Sequence, residues 1–189
     1  MRHYTHQKEV STSKTRIIVK KENCVYIGVD PGINGAIAAL DASGQILLVE
    51  DLPHIKNGNK KKDLHLQAIV KTIRSVMENT GQIFSAVEKV TARPGQGVVS
   101  MFRFGRATGQ VEGILLGLGV PTMLVSPKTW GKLFHPYVDG QDTKAKSVLA
   151  ASMRWPEVSL PNKKDHGKAE ALLIAEFCRK YHRGTINEE

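Results

Sequence analysis

Cys24-Val-Tyr-Ile-Gly-Val-Asp-Pro-Gly-Ile-Asn-Gly-Ala-Ile-Ala-Ala-Leu40 is the stretch on which the reading of this chain turns. Its opening residues are apolar and partly β-branched, which suits a buried strand, and Pro31-Gly32 stops that strand just after Asp30. Gly35-Ala-Ile-Ala-Ala-Leu40 reads as a second strand after a tight turn. Asp41-Ala-Ser-Gly44 is a hairpin turn into a third, Gln45 to Val49. Three strands joined by such short connections predict an antiparallel meander. Asp30 then stands at the end of a central strand, where a carboxylate is costly unless something cationic compensates. The plainer reading is a turn aspartate.

Working outward, the loop after Pro53 carries a basic run from Lys56 to Lys62. It reads as a solvated loop, with non-specific attraction to DNA as the second choice. Leu66, Ile69, Val70, Ile73 and Val76 recur at helical spacing within Leu64 to Met77. Ile83 to Val90 reads as a fourth strand, which a crossover helix places parallel to the first. A Gly/Pro loop from Thr91 to Gly97 leads into a helix over Val98 to Leu118, then a fifth strand, Val120 to Val125. Ser126-Pro127 is an N-cap followed by proline in the first helical turn. Two more helices are predicted near Thr143 to Met153 and Asp165 to His182. The order predicts an α/β domain over residues 24–183, a mixed five-stranded sheet flanked by helices, as in ribonuclease-H-like folds. A basic flexible segment, 1–23, precedes it and a short tail, 184–189, follows. The N-terminal segment also reads as a DNA-contacting arm or the remnant of an organelle-targeting segment.

The chain has 189 residues, which suits one domain. Lys and Arg number 27 against 18 Asp and Glu, a formal net charge of +9. Such an excess fits a phosphate-rich partner, because neutralising phosphates releases their condensed counterions; charge alone does not establish one. Cys24 and Cys178 lie too far apart for a metal knuckle and read as buried thiols in a reducing compartment. No apolar run approaches the roughly 20 residues that span a bilayer, and no apolar secretory core opens the chain.

Two further acids are out of place by their surroundings. Glu88 sits within the fourth strand on the face of Phe84, Ala86 and Val90, where the bland reading is a strand-end ion pair. On the last helix, at about 100° per residue, His166, Glu170, Leu173, Ile174, Phe177 and Tyr181 fall on one stripe. Its apolar members face the sheet and draw His166 and Glu170 inward. Asp165 points off this face and is better placed as the N-cap. The bland reading of Glu170 is a core-rim residue that reaches solvent. Taken together, Asp30, Glu88 and Glu170 crowd like charges that require cations. Hard oxygen donors favour two magnesium ions, with manganese as substitute, the arrangement for in-line phosphodiester hydrolysis.

Ile27-Gly-Val-Asp-Pro-Gly-Ile-Asn-Gly-Ala36 resembles the opening motif of RuvC-type Holliday junction resolvases. Val87-Glu88 is similar to their second acidic strand, and Asp165-His-Gly-Lys-Ala-Glu-Ala-Leu-Leu-Ile-Ala175 to their closing helix. Pro94 to Gly105 and Val125 to Lys132 resemble segments of the phage-type and chloroplast branches. The resemblance spans roughly Tyr26 to Tyr181. It implies catalytic and metal-holding roles for Asp30, Glu88, His166 and Glu170, with Glu170 and His166 standing where the commonest pattern has aspartates; Asp165 is the alternative fourth group. It also implies a homodimer, with each subunit cutting one of two like strands of a four-way junction to leave 5′-phosphate and 3′-hydroxyl ends. The helix from Val98 to Leu118 would form the dimer contact, its Gly105, Gly109 and Gly113 offering a smooth face. Packing of those glycines inside one subunit is the other reading.

Arg93, Gln96, Arg103 and Arg106 flank the loop beside Glu88 and are candidate DNA contacts. Phe102 and Phe104 are candidates to wedge between unstacked bases, although ordinary core packing is the simpler reading of Phe102. Lys128, Lys132, Lys144 and Lys146 are candidate phosphate contacts, and one of them is a candidate to stabilise the transition-state phosphate. A sugar-kinase-type phosphotransferase also places an Asp-x-Gly turn after a strand, but it needs two domains around a nucleotide, so no nucleotide cofactor and no membrane partner are expected. A nuclease acting on RNA–DNA hybrids, or a non-catalytic junction-binding module, is the closer alternative. The expected location is DNA-associated, in an organelle nucleoid such as the chloroplast's or a bacterial or phage-infected cytoplasm.

Overall fold

The predicted meander forms from β1 (Cys24–Val29), β2 (Ala36–Leu40) and β3 (Ile46–Asp51), paired antiparallel in sequence order. This is a computed structural model that describes residues 24–32, 34–57, 61–78, 80–89, 91, 95–135 and 142–186. Helix α1 (Leu66–Met77) crosses over to β6 (Gln82–Glu88), and α2 (Val98–Gly117) crosses to β7 (Thr122–Val125). Both strands run parallel to β1, giving a five-stranded mixed sheet of order β3-β2-β1-β6-β7. Helices α3 (Pro127–Phe134), α4 (Thr143–Arg154) and α5 (His166–His182) follow.

Alternation along β1 divides the core in two. Val25, Ile27 and Val29 pack with Ile69, Ile73, Val111 and Leu115 of α1 and α2. Tyr26 faces the other way, with Ala86, Leu172, Leu173 and Phe177. Gly28 shares that second face and permits very close approach: a Cβ there would stand 2.2 Å from both Ala171 O and Ala175 N of α5. Asp30 and Glu88 are therefore on the α5 side, one residue beyond the Val29–Val87 pair of the parallel register.

Four expectations change. The described ends of the basic stretch are strands: β4 (His54–Asn57) and β5 (Lys61–Leu64) form an antiparallel two-stranded hairpin in which Lys56 stands opposite Lys62. Like charges across a pair disfavour strands, so the lysines concealed it. Its base is anchored by buried Leu52 and Leu64 and by His65 N–H donating to Pro53 O. Phe102 is not core; it is 71% exposed. Among the described residues, and apart from the helix's own backbone, no atom lies within 4 Å of where a Cβ would stand on Gly105, Gly109 or Gly113, which argues against their packing within one subunit. Finally, α5 is buried well beyond one stripe, from Ala171 through Cys178. Even Glu176 is enclosed, because Arg179 Nε donates to its Oε2 at 2.6 Å and Arg154 pairs with its Oε1.

Both cysteines are free and buried, as expected. Among the described residues, no helix is long and apolar enough to cross a membrane. The segment 1–23, Arg93, Val90 and Lys60 lie outside the described residues.

Candidate active site

Four side chains from three elements line one cleft of about 650 Å³: Asp30, Glu88, His166 and Glu170. The parallel pairing of β1 with β6 brings the first two together, and the near-contact of α5 with Gly28 brings the last two over them. The opposite wall is the start of α2, including Val99, Phe104 and Ala107.

Each described contact of a carboxylate is to a protein donor. Asp30 is 6% exposed, and its Oδ1 accepts the Gly32 N–H at 2.9 Å. Burial pushes its pKa up, against the opposing effects of that N–H, His166 and Lys144. Glu88 Oε1 accepts the Trp130 indole N–H at 3.2 Å. Glu170 Oε1 accepts the Ser147 hydroxyl at 3.2 Å. Burial first, and then the charge of Asp30, push Glu170 up to about 7, while Ser147 and Lys144 act in the opposite direction.

A fold that holds a carboxyl near 7 when its ordinary value is 4.5 favours the neutral form. The fold therefore loses stability as pH rises from the unfolded value through the folded one, and the loss levels off above it. Glu170→Gln is expected to raise the melting temperature of the metal-free protein near pH 8 and to leave it almost unchanged near pH 4.5. Paired thermal melts check this. An equal effect at both pH values would mean that folding leaves the pKa of Glu170 at its ordinary value.

Of the candidate DNA contacts, Gln96, Arg103 and Lys144 line the cleft, as does Phe104. Arg103 also faces Asp63 at 3.9 Å. Lys144 is the lysine whose charge reaches both Asp30 and Glu170. Arg106, Lys128 and Lys132 are exposed and do not line the cleft, nor do Phe102 and the half-buried Lys146. Arg93 is outside the described residues. Asp165 holds the N-cap position but makes no capping bond with its side chain; its Oδ2 accepts the Asn162 N–H at 3.0 Å instead. That turns its carboxylate to the preceding 3-10 turn, while His166 lines the cleft.

Among the described residues no three His, Cys, Asp or Glu side chains are gathered tightly enough to hold an ion as they stand. The chemistry still fits a hard divalent cation, since three carboxylates supply oxygen donors and the charge of Asp30 disfavours ionisation of Glu170. Sequence reasoning missed Trp130 and Ser147. A buried indole needs a partner for its N–H, so Trp130 was the one with a usable signal.

No family model and no curated protein matches the sequence. Solved structures do match. Thermus thermophilus RuvC in complex with a Holliday junction substrate aligns with a TM-score of 0.56 at 18% identity, covering 85% of this chain and 96% of that one. A second Thermus thermophilus RuvC structure aligns at 0.54 and 20% identity, with the same coverage. At such identities the likeness is one of fold: the chain has the ribonuclease-H-like α/β fold of those proteins.

Proposed function

We propose that the chain is a magnesium-dependent endonuclease that resolves four-way DNA junctions by paired symmetric nicks. The observation that carries this reading is the convergence of Asp30, Glu88, His166 and Glu170 on one cleft together with Lys144. These four are the side chains that would hold two divalent ions, magnesium or manganese, with Asp30 the most buried of the site's three carboxylates. Such ions, when bound, supply an activated water and stabilise the leaving oxygen. Lys144 offsets the negative charge of the acids and of the scissile phosphate. Arg103 and Gln96, on the α2 side, hold the strand that enters. Exposed Arg106, Lys128 and Lys132 and the half-buried Lys146, all outside the cleft, serve as backbone contacts that fix register.

The dimer fits the outer face of α2. At about 100° per residue, Val98, Phe102, Gly105, Gly109, Gly113 and Leu116 fall within one stripe, and Val98, Phe102 and Leu116 are exposed apolar side chains along it. Two copies of that stripe pack closely because the glycines carry no side chain. His166→Ala is expected to slow cutting severely and Asp165→Ala to leave it near normal; the reverse would exchange the two.

Incubating the protein with a strand-labelled synthetic four-way junction and magnesium tests the proposal. Symmetric nicks in opposed strands support it. A retarded but uncut junction supports a binding module, absence of junction binding excludes both of these, and the same assay with an RNA–DNA hybrid duplex tests the ribonuclease-H alternative.

A further inference from the structure

Two of the acids are joined to each other through side chains that the proposed chemistry does not use. Helix α3 starts beside Glu88, because Glu88 and Val125 are paired and the Ser126 hydroxyl caps the helix by accepting the Thr129 N–H. One turn on, Trp130 is 2% exposed and donates its indole N–H to Glu88 Oε1. An indole can only donate, so in this contact Glu88 is the acceptor and Trp130 fixes the direction of its Oε1.

At the end of α3, the His135 ring stands edge-on to Trp130, with centroids 5.1 Å apart and planes at 79°. Gly131 makes room for it: a Cβ there would lie 3.2 Å from His135 Nδ1 and Cε1. His135 Nε2 is 2.9 Å from Ser147 Oγ, and Ser147 is fully buried on α4. The hydroxyl is also within reach of Glu170 Oε1 and of Thr143 O, at 3.2 and 3.0 Å. A hydroxyl has one hydrogen to give and two lone pairs. When His135 Nε2–H donates into Oγ, that hydrogen is left for the two acceptors, Glu170 and Thr143.

We propose that Trp130, His135 and Ser147 are positioning residues that act as one unit, fixing Glu88 and Glu170 relative to each other. The inference rests on the nuclease reading given above. The chain of contacts spans β6, α3, α4 and α5, so it ties the acid on the sheet to the acid on the helix without passing through the cleft. Partners that orient metal-holding side chains typically change metal affinity or activity about 10–100-fold when removed.

The test uses Trp130→Phe, which keeps a ring and deletes the N–H, and Ser147→Ala, which deletes the hydroxyl. His135→Gln keeps a donor toward Oγ, and His135→Ala does not. Manganese binding to the DNA-free protein is followed by the paramagnetic signal of free Mn²⁺. Junction cutting is followed against magnesium concentration, and junction binding is measured in chelator. Trp130→Phe and Ser147→Ala are each expected to weaken Mn²⁺ binding about tenfold or more, and to raise the magnesium needed for cutting in parallel. Junction binding should be unchanged, and His135→Gln should retain more affinity than His135→Ala. The double variant should lose less than the product of the two single losses, as for groups acting as a unit.

Mn²⁺ affinities within about twofold of the parent, or strictly multiplicative losses, overturn the inference. If Ser147→Ala fails to fold, Trp130→Phe and the His135 pair decide alone. A parent that binds Mn²⁺ yet cuts no DNA removes the nuclease reading, and the variants' Mn²⁺ binding still judges the positioning unit. A parent that cuts, with variants that bind Mn²⁺ normally, does the reverse. A parent that binds no Mn²⁺ without DNA overturns the positioning unit, and one that also cuts no junction overturns both.

Discussion

Asp30→Asn is expected to lower the rate of junction cutting at least about a thousandfold, since several kcal/mol of transition-state stabilisation is at stake and each 1.36 kcal/mol is tenfold. Junction affinity should stay close to that of the parent, because the neutral amide occupies the same space and phosphate contacts from the lysines and arginines are untouched. A third effect distinguishes this change from general damage. Burial already pushes Asp30 toward its neutral form, so the metal-free variant should melt at a higher temperature than the parent near neutral pH. Loss of activity with a gain in stability is the mark of a residue placed for function at a cost to the fold. Strand-labelled cutting, gel retardation in chelator and a thermal melt measure the three. Full activity would remove Asp30 from the site.

Gly28→Ala should have the largest effect on stability. The added methyl meets backbone atoms, Ala171 O and Ala175 N at 2.2 Å and Ala175 Cα at 2.8 Å, and backbone in a central helix has no rotamer by which to yield. Overpacking commonly costs 1–3 kcal/mol and occasionally more, and here the whole of α5 must lift. We expect about 3 kcal/mol or more, which lowers the melting temperature by roughly 6–12 °C for a chain of this size. Because α5 carries His166 and Glu170, any variant that folds should also cut poorly, as the helix acids separate from Asp30. A melting temperature equal to the parent's would contradict the close approach of helix and strand.

The parts legible in the sequence are those written in local pattern. β1 announces itself by its apolar run and its Pro-Gly stop, Ser126-Pro127 by capping chemistry, and Asp30 by standing where a charge is expensive. Glu170 was found by helical phase, although burial around α5 proved far wider than one stripe. That breadth was hidden because Glu176 looks like a solvent residue until Arg154 and Arg179 enclose it. Phe102 was misjudged for a related reason. A helix apolar on two sides gives no phase by which to choose between an inner and an outer face. Trp130 and Ser147 depend on contacts across 42 and 23 residues, and no periodicity encodes those. The β4–β5 hairpin was concealed by lysines that argue against pairing, while its anchors, Leu52 and Leu64, lie at its base.

The raised pKa values of Asp30 and Glu170 bear on how the cleft would be studied in the laboratory. A pocket whose Glu170 carboxyl is pushed up to about 7 does not simply accept a cation near neutrality; it trades a proton for one, and the displaced proton passes to the surrounding buffer. The heat recorded when a divalent ion is titrated in will therefore include the buffer's own ionisation. The same titration in phosphate and in Tris should yield different apparent enthalpies, and the difference counts the protons released.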